Sequence, residues 1–189
     1  MGVVIRSTAV IGAVALVVGA FAVARTEPAE ELVFAPFTVH VAPGERGESR
    51  GLRAALEGAR LADVVTLDRW TGTTTSVWLV ADARMESTEN PSLAYATLQV
   101  GERVWPTSRR PGIYAMQSAS LDPGLPVEGS FVFELPAEVL EEAAASHATL
   151  RLSTDGDTRL ITVVEVDFDL ASLDRTPEFE LERRELTRW

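Results

Sequence analysis

Leu121–Pro136 reads LDPGLPVEGSFVFELP, and its second half sets the fold class. Val127, Gly129, Phe131, Phe133 and Leu135 alternate with Glu128, Ser130, Val132 and Glu134. A period of two puts the large apolar side chains on one face of an extended chain, the mark of a half-buried strand. Pro136 ends it, because proline has no N–H to give to a ladder. Just upstream, Leu121-Asp122-Pro123-Gly124 reads as a tight turn. Proline suits the second position of a type II turn, and glycine tolerates the positive φ of the third.

The same period continues in both directions. Towards the N-terminus, Val77, Leu79, Ala81, Ala83 and Met85 alternate with Trp78, Val80, Asp82 and Arg84. Leu93–Val100 runs through Gly101-Glu102 into Arg103–Trp105, and a Gly-first two-residue loop between such runs predicts a hairpin. Phe37–Val41 alternates apolar residues with Thr38 and His40. Towards the C-terminus, Thr149–Leu152, a turn at Asp155-Gly156 and Leu160–Leu170 form a second expected hairpin. Ala137–Ala145 is the one stretch of good helix formers and predicts a short helix. Gly51–Leu67 fits two readings. Leu52, Ala55, Leu56 and Ala59 share a helix face, whereas Leu52, Ala54 and Leu56 share a strand face with a bulge at Gly58. The strand is preferred because its neighbours are strands. Seven or eight short strands with turns between them predict an antiparallel, Ig-like β-sandwich over residues 34–170. The charged tail 171–189 adds an edge strand or lies outside the fold.

The N-terminus supplies an address. Ser7–Ala24 (STAVIGAVALVVGAFAVA) is 18 residues without a charge. As a helix it would span about 27 Å, close to the thickness of a bilayer core. The terminal amine and Arg6 precede it and Arg25 follows, so the charge bias favours a cytoplasmic N-terminus and an outward body. Two outcomes stay open: a single-pass anchor within 1–25, followed by a 26–33 linker, or a signal sequence cleaved at Ala20-Phe21-Ala22 or Ala22-Val23-Ala24 and a secreted domain. The apolar stretch is longer than a signal peptide needs, which favours the anchor.

Composition removes whole classes of function. The 189 residues carry 17 Lys+Arg against 28 acids, a net charge of −11. Every basic residue is Arg, so Lys nucleophiles and Lys-based phosphate loops are absent. An acidic domain does not neutralise nucleic-acid phosphates. Zero Cys rules out disulfides, thiolate catalysis and Cys-ligated metals. His40 and His147 are the two histidines, too few for a three-His centre within one chain, and no G-x-S-x-G occurs. The carboxylate pairs Glu141-Glu142, Asp155/Asp157 and Asp167/Asp169 sit on expected turns or solvent faces. No catalytic set, cofactor or metal site is legible, and the chain reads as a non-enzyme.

Three segments resemble the bacterial extracytoplasmic Ig-like domains of the DUF4352 type. They are the L-x-P-G turn leading into a strand that ends F-E-L-P, the run Val77-Trp78-Leu79-Val80-Ala81-Asp82, and Pro91-Ser92-Leu93 through Trp105 with its Gly turn. The resemblance covers roughly 34–153 and is to actinobacterial membrane-anchored members. It implies an exported sandwich and brings no catalytic motif.

Aromatic side chains beside arginine are favoured contact anchors. Trp70, Trp105, Arg109, Arg110 and Tyr114, in the expected loops Trp70–Thr75 and Trp105–Tyr114, are the candidate partner contacts. Trp78, in a core-like strand, is read as packing. The chain is thus expected to be an interaction module, anchored in the cell membrane through residues 7–24, with an envelope or membrane protein as partner. A small-ligand or Ca²⁺-binding domain with an acidic rim is the alternative.

Overall fold

The computed structural model describes Gly19 and residues 34–189. The strands are β1 (Phe37–Val41), β2 (Gly47–Ser49), β3 (Leu52–Leu67), β4 (Trp70–Ser87), β5 (Ser92–Leu93), β6 (Tyr95–Val100) and β7 (Arg103–Pro106). They continue with β8 (Ser120–Leu121), β9 (Val127–Leu135), β10 (Ala148–Ser153), β11 (Thr162–Phe168), β12 (Arg175–Glu180) and β13 (Glu185–Leu186). One sheet has the order β1-β11-β10-β6-β7. The other runs β12-β3-β4-β9-β13, with β2 also on β3. Leu56, Leu79, Phe131 and Phe133 of the second sheet pack against Leu98, Leu150, Val164 and Val166 of the first, all buried. The chain is a β-sandwich.

Gly51–Leu67 is strand, as preferred, and its irregularity falls beside Gly58. The β3–β4 register slips between Leu56 and Gly58. One extra residue there switches the inward side chains from Leu52, Ala54 and Leu56 to Ala59 and Leu61. A second slip between Ala62 and Val64 bends the hairpin again. Beyond it Ala62, Val65 and Leu67 join Trp78, Val80 and Val132 in a small core on the outer face of the sheet.

Several expectations need correction. The sandwich is not wholly antiparallel, because β1 runs parallel to β11 and β12 parallel to β3. Nor are all the strands short, since β3 and β4 run 16 and 18 residues. Trp70–Thr75 begins strand β4 rather than forming a loop, and Trp105 lies within β7. The expected helix is instead two 3-10 turns, Ala137–Glu141 and Ala143–His147, separated by extended Glu142. Nine residues without a side-chain cap make a marginal α-helix, and burial of Val139 and Ala145 decides the local path. The Pro-Gly turn spans Asp122–Leu125 rather than Leu121–Gly124, and it keeps the expected roles, Pro123 second and Gly124 third at φ +80°, with Leu125 N–H donating to Asp122 O at 3.1 Å. The second expected hairpin forms, β10 antiparallel to β11, but its return strand starts at Thr162 rather than Leu160 and its loop is 154–161. The Gly101-Glu102 hairpin forms as expected, with Val100 opposite Arg103 and Gly101 at φ +60°.

The tail is part of the fold. β12 pairs with β3, β13 pairs with β9, and between them Leu181 is buried in the small outer core. Residues Pro36–Trp189 form one compact unit. Of the expected membrane span at 7–24, Gly19 alone falls among the described residues. Among the described residues, no helix is long and apolar enough to cross a membrane.

Candidate interaction surface

The β3–β4 hairpin turns at Asp68, a non-glycine residue at φ +54°. Trp70 follows at once and meets Trp78 edge-on, with ring centroids 6.1 Å apart and planes at 79°. Trp78 is fully buried and donates its indole N–H to Gly72 O at 3.1 Å. Only glycine fits at position 72: a Cβ there would lie 2.7 Å from Trp70 Cζ2. The sequence thus folds one tryptophan beneath the hairpin and leaves the other half-buried above it.

The loop between β7 and β8 faces this hairpin. Ser108 N–H donates to Val132 O at 2.7 Å and Met116 N–H to Ser130 O at 3.0 Å, so both ends of the loop are tied to β9. Thr107 Oγ1 and Gln117 Oε1, 2.6 Å apart, close its base. The segment 109–114 is held out from that base. Gly112 (φ +76°) opens a 3-10 turn, Gly112–Tyr114, that presents Ile113. Ile113 is 72% exposed and Tyr114 40%. From the tail, the Arg183 guanidinium lies 4.5 Å over the Tyr114 ring and pairs with Asp68 at 2.8 Å. The Asp68 hydrogen bonds raise the pKa of Arg183. A cavity of about 870 Å³ opens between these parts, lined by Leu67, Trp70, Pro111, Ile113, Tyr114 and Arg183 among others.

Of the five contact residues expected from sequence, Trp70 and Tyr114 meet at this cavity. Arg109 lies beside it, in a second cleft with Gly112, Ile113 and Arg184. Arg110 is a fastener: it pairs with Glu134 at 3.1 Å, donates to Thr73 O at 3.0 Å and lies 5.0 Å over the Trp78 ring. Trp105 is elsewhere, on the edge strand of the other sheet, half-buried against the main core. Sequence reading missed Ile113, Arg69 and Arg183. A lone large aliphatic residue in the polar run PTSRRPGIY was the available signal for the first.

The outer face of β3, β4 and β9 carries a charged ladder. Arg60 pairs with Asp82 at 2.5 Å, and Ser130 donates to the same carboxylate at 2.6 Å. Arg84 bridges Glu57 and Glu128, and Arg53 bridges Glu48 and Glu86. The Arg53 hydrogen bond holds the Glu48 carboxyl below the usual range. Trp189 covers this ladder, its ring about 5.6–5.9 Å from Arg46, Arg53 and Arg84 and its indole N–H on Glu86. Each carboxylate of this ladder is paired with an arginine.

Two further chemistry-bearing residues, His40 and Asp157, also have partners. His40 is 67% exposed in its side chain, 3.6 Å from Glu165, which Arg151 also pairs. Asp157, which the Ca²⁺ reading needs, is held by Arg159, and its carboxyl drops to about 2. Among the described residues, no group of three or more His, Asp and Glu is placed to hold a metal ion.

No protein-family model and no curated protein matches the sequence. Among solved structures, it is similar to an uncharacterized β-sandwich protein from Clostridium difficile 630, at 14% identity and a TM-score of 0.48, covering 75% of this chain and 99% of that one. It is also similar to the yjhA protein from Bacillus subtilis, at 15% identity and a TM-score of 0.46, covering 68% of this chain and all of that one.

Proposed function

We propose that this protein is a non-enzymatic interaction module: a single-pass anchor at residues 7–24 carrying an extracytoplasmic Ig-like sandwich of the DUF4352 type, which serves as an accessory subunit of a cell-envelope membrane complex. The observation that carries the reading is Ile113, 72% exposed on a loop tied down at both ends and backed by Trp70 and Tyr114 across a cavity. A rigid, exposed apolar anchor ringed by aromatic and charged groups is the composition of a binding hot spot. The carboxylates of the charged ladder on β3, β4 and β9 are engaged in ion pairs, which favours binding over catalysis on that face. The uncharged 18-residue stretch before the domain supports the anchored location.

The test is co-purification of the C-terminally tagged full chain from its native membranes after cross-linking, with intact mass recorded. One stoichiometric partner and a full-length mass are expected, with at least about ten-fold less partner recovered by Ile113→Asp. No enriched partner, or a mass lacking the first 22 to 24 residues, overturns the anchored-subunit reading. The small-ligand alternative draws on one feature, a cavity of about 580 Å³ between Phe37, Arg50, Ser87 and Leu160 that also includes Ser92, whose buried hydroxyl has no partner. Thermal-shift titration of the full chain with cationic solutes tests it, and a saturable rise in Tm lost in Ser92→Ala would favour it.

A further inference from the structure

The arginines of this domain are paired almost everywhere except around Ile113. Among the described residues there are 15 arginines, and eleven make ion pairs. Arg69, Arg109, Arg184 and Arg188 do not. Three of those four line the two clefts that flank Ile113: Arg69 on the Trp70 side, Arg109 and Arg184 on the other. Residues 34–189 hold 25 acids against 15 arginines, a balance of −10, so uncompensated positive charge at one end is against the trend of the molecule. Acids were available to pair them, as they pair Arg110 and Arg183 a few residues away.

We infer that the Ile113 tip recognises an acidic, extended segment of a protein partner, one that presents an apolar side chain to the cavity and carboxylates to Arg69 and Arg109. This rests on the interaction-module reading above and names the chemistry of its partner. Arginine's fork suits carboxylates bidentately, and an apolar residue between two such pairs would cover Ile113. A protein segment is favoured over an anionic bilayer for two reasons. The domain's net negative charge repels an anionic surface beyond the immediate contact. The tip also lies at the end of the β3–β4 hairpin remote from Phe37, where the chain enters the sandwich: Phe37 lines the cavity beside Arg50 and Ser87, at the opposite ends of β3 and β4.

The experiment places a photo-reactive side chain at Ile113 of the full chain in native membranes and, separately, at exposed Val104 on β7, then sequences the cross-linked peptide. The expected adduct at the tip is a peptide with at least two carboxylates flanking an apolar residue. Arg69→Glu with Arg109→Glu should cut its yield about ten-fold or more, and Arg69→Gln with Arg109→Gln by less. Both arginines are exposed and unpaired, so the variants should melt with the wild type, which separates lost contact from lost fold. A peptide without acids, or an unchanged yield in the charge-reversed variant, overturns the inference. So does a lipid adduct, or co-sedimentation with phosphatidylglycerol vesicles abolished by the same variants. A protein adduct at Val104 alone would sink this inference and leave the interaction-module reading standing; no adduct at either site would sink both.

Discussion

Leu181→Ala tests whether the tail belongs to the fold in the way its contacts require. Leu181 is 4% exposed and packs with Ala62, Val65, Leu67, Trp78, Val80 and Val132 on the outer face of the β3–β4–β9 layer. Truncation removes three carbons, worth about 2.4 kcal/mol at roughly 0.8 kcal/mol per buried CH₂. The void adds little, because this cluster lies near the surface and can collapse, so a loss of about 2–3 kcal/mol is expected. For a domain of this size that lowers Tm by about 5–10 °C. The tail's other ties weaken with it: Leu181 N–H to Thr66 O at 2.8 Å, and Arg60 stacked 4.4 Å over Phe179. Urea unfolding followed by tryptophan fluorescence is the assay, since Trp70 and Trp78 lie in the same cluster. Leu186→Ala is the control: at 68% exposure it should shift stability by less than about 0.5 kcal/mol. A Leu181→Ala variant indistinguishable from that control would refute the packing of the tail. A fall in m-value alongside the midpoint would instead mean that the tail detaches before the sandwich unfolds.

Four further outcomes follow from the same contacts. Gly72→Ala drives a Cβ to 2.7 Å from Trp70 Cζ2 and 3.1 Å from Trp78 Cζ2, and should cost about 1–3 kcal/mol with a changed near-ultraviolet dichroism of the tryptophan pair. Gly47→Ala meets the stiff Val164 side chain at 2.7 and 3.1 Å, and a similar loss should appear in thermal melts without that spectral change. Acid titration of stability should be flat above about pH 5 and fall towards pH 2. Glu48 and Asp157 have folded values depressed from 4.5 and 3.8, Asp157 to about 2, so their contribution is present above those values and lost as pH falls through the folded ones. Glu48→Gln with Asp157→Asn should flatten that fall. Arg183→Ala should speed amide exchange at 112–114 and weaken partner capture, with little change in global stability because its ion pair is exposed.

How much of this was legible in the sequence follows from which side chains reported a period. Strands β4, β6 and β9 declared themselves because their inner positions alternate without interruption. Residues 51–67 were ambiguous for a physical reason: the slip beside Gly58 moves the inner face from even to odd positions, so Leu52, Leu56 and Ala59 all point inward. Their spacing of four and then three imitates a helix. The tail was hard to read because β12 and β13 bind sheet edges through backbone groups and need few apolar side chains; only Leu181 and Phe179 report the burial. Parallel pairing of β1 with β11 leaves no local turn signal, since the partners are 125 residues apart. Of the surface, the aromatic–arginine association was visible, but its division into fasteners and free groups was not. Arg109 and Arg110 are neighbours in sequence, and only the position of Glu134 across β9 decides which of them is occupied.

That division bears on what the tip can do. Three chain segments far apart in sequence meet there: the Asp68 hairpin, the Ile113 loop and the tail at Arg183. Arg183 joins all three by pairing with Asp68 and stacking on Tyr114, and Arg110 joins the loop to both β4 and β9. Binding a partner costs side-chain and loop entropy unless the surface is already ordered. Here the paired arginines do the ordering, and the unpaired Arg69 and Arg109 keep their donors open. A surface in which fasteners and ligand-facing groups are the same residue type but different residues makes a sharp demand on mutagenesis. Arg110→Ala should lower stability and binding together, because it leaves the partly buried Glu134 without its counter-ion, whereas Arg69→Ala should lower binding alone. If both variants lose stability equally, the assignment of Arg69 as a free group is wrong, and the acidic-partner inference falls with it.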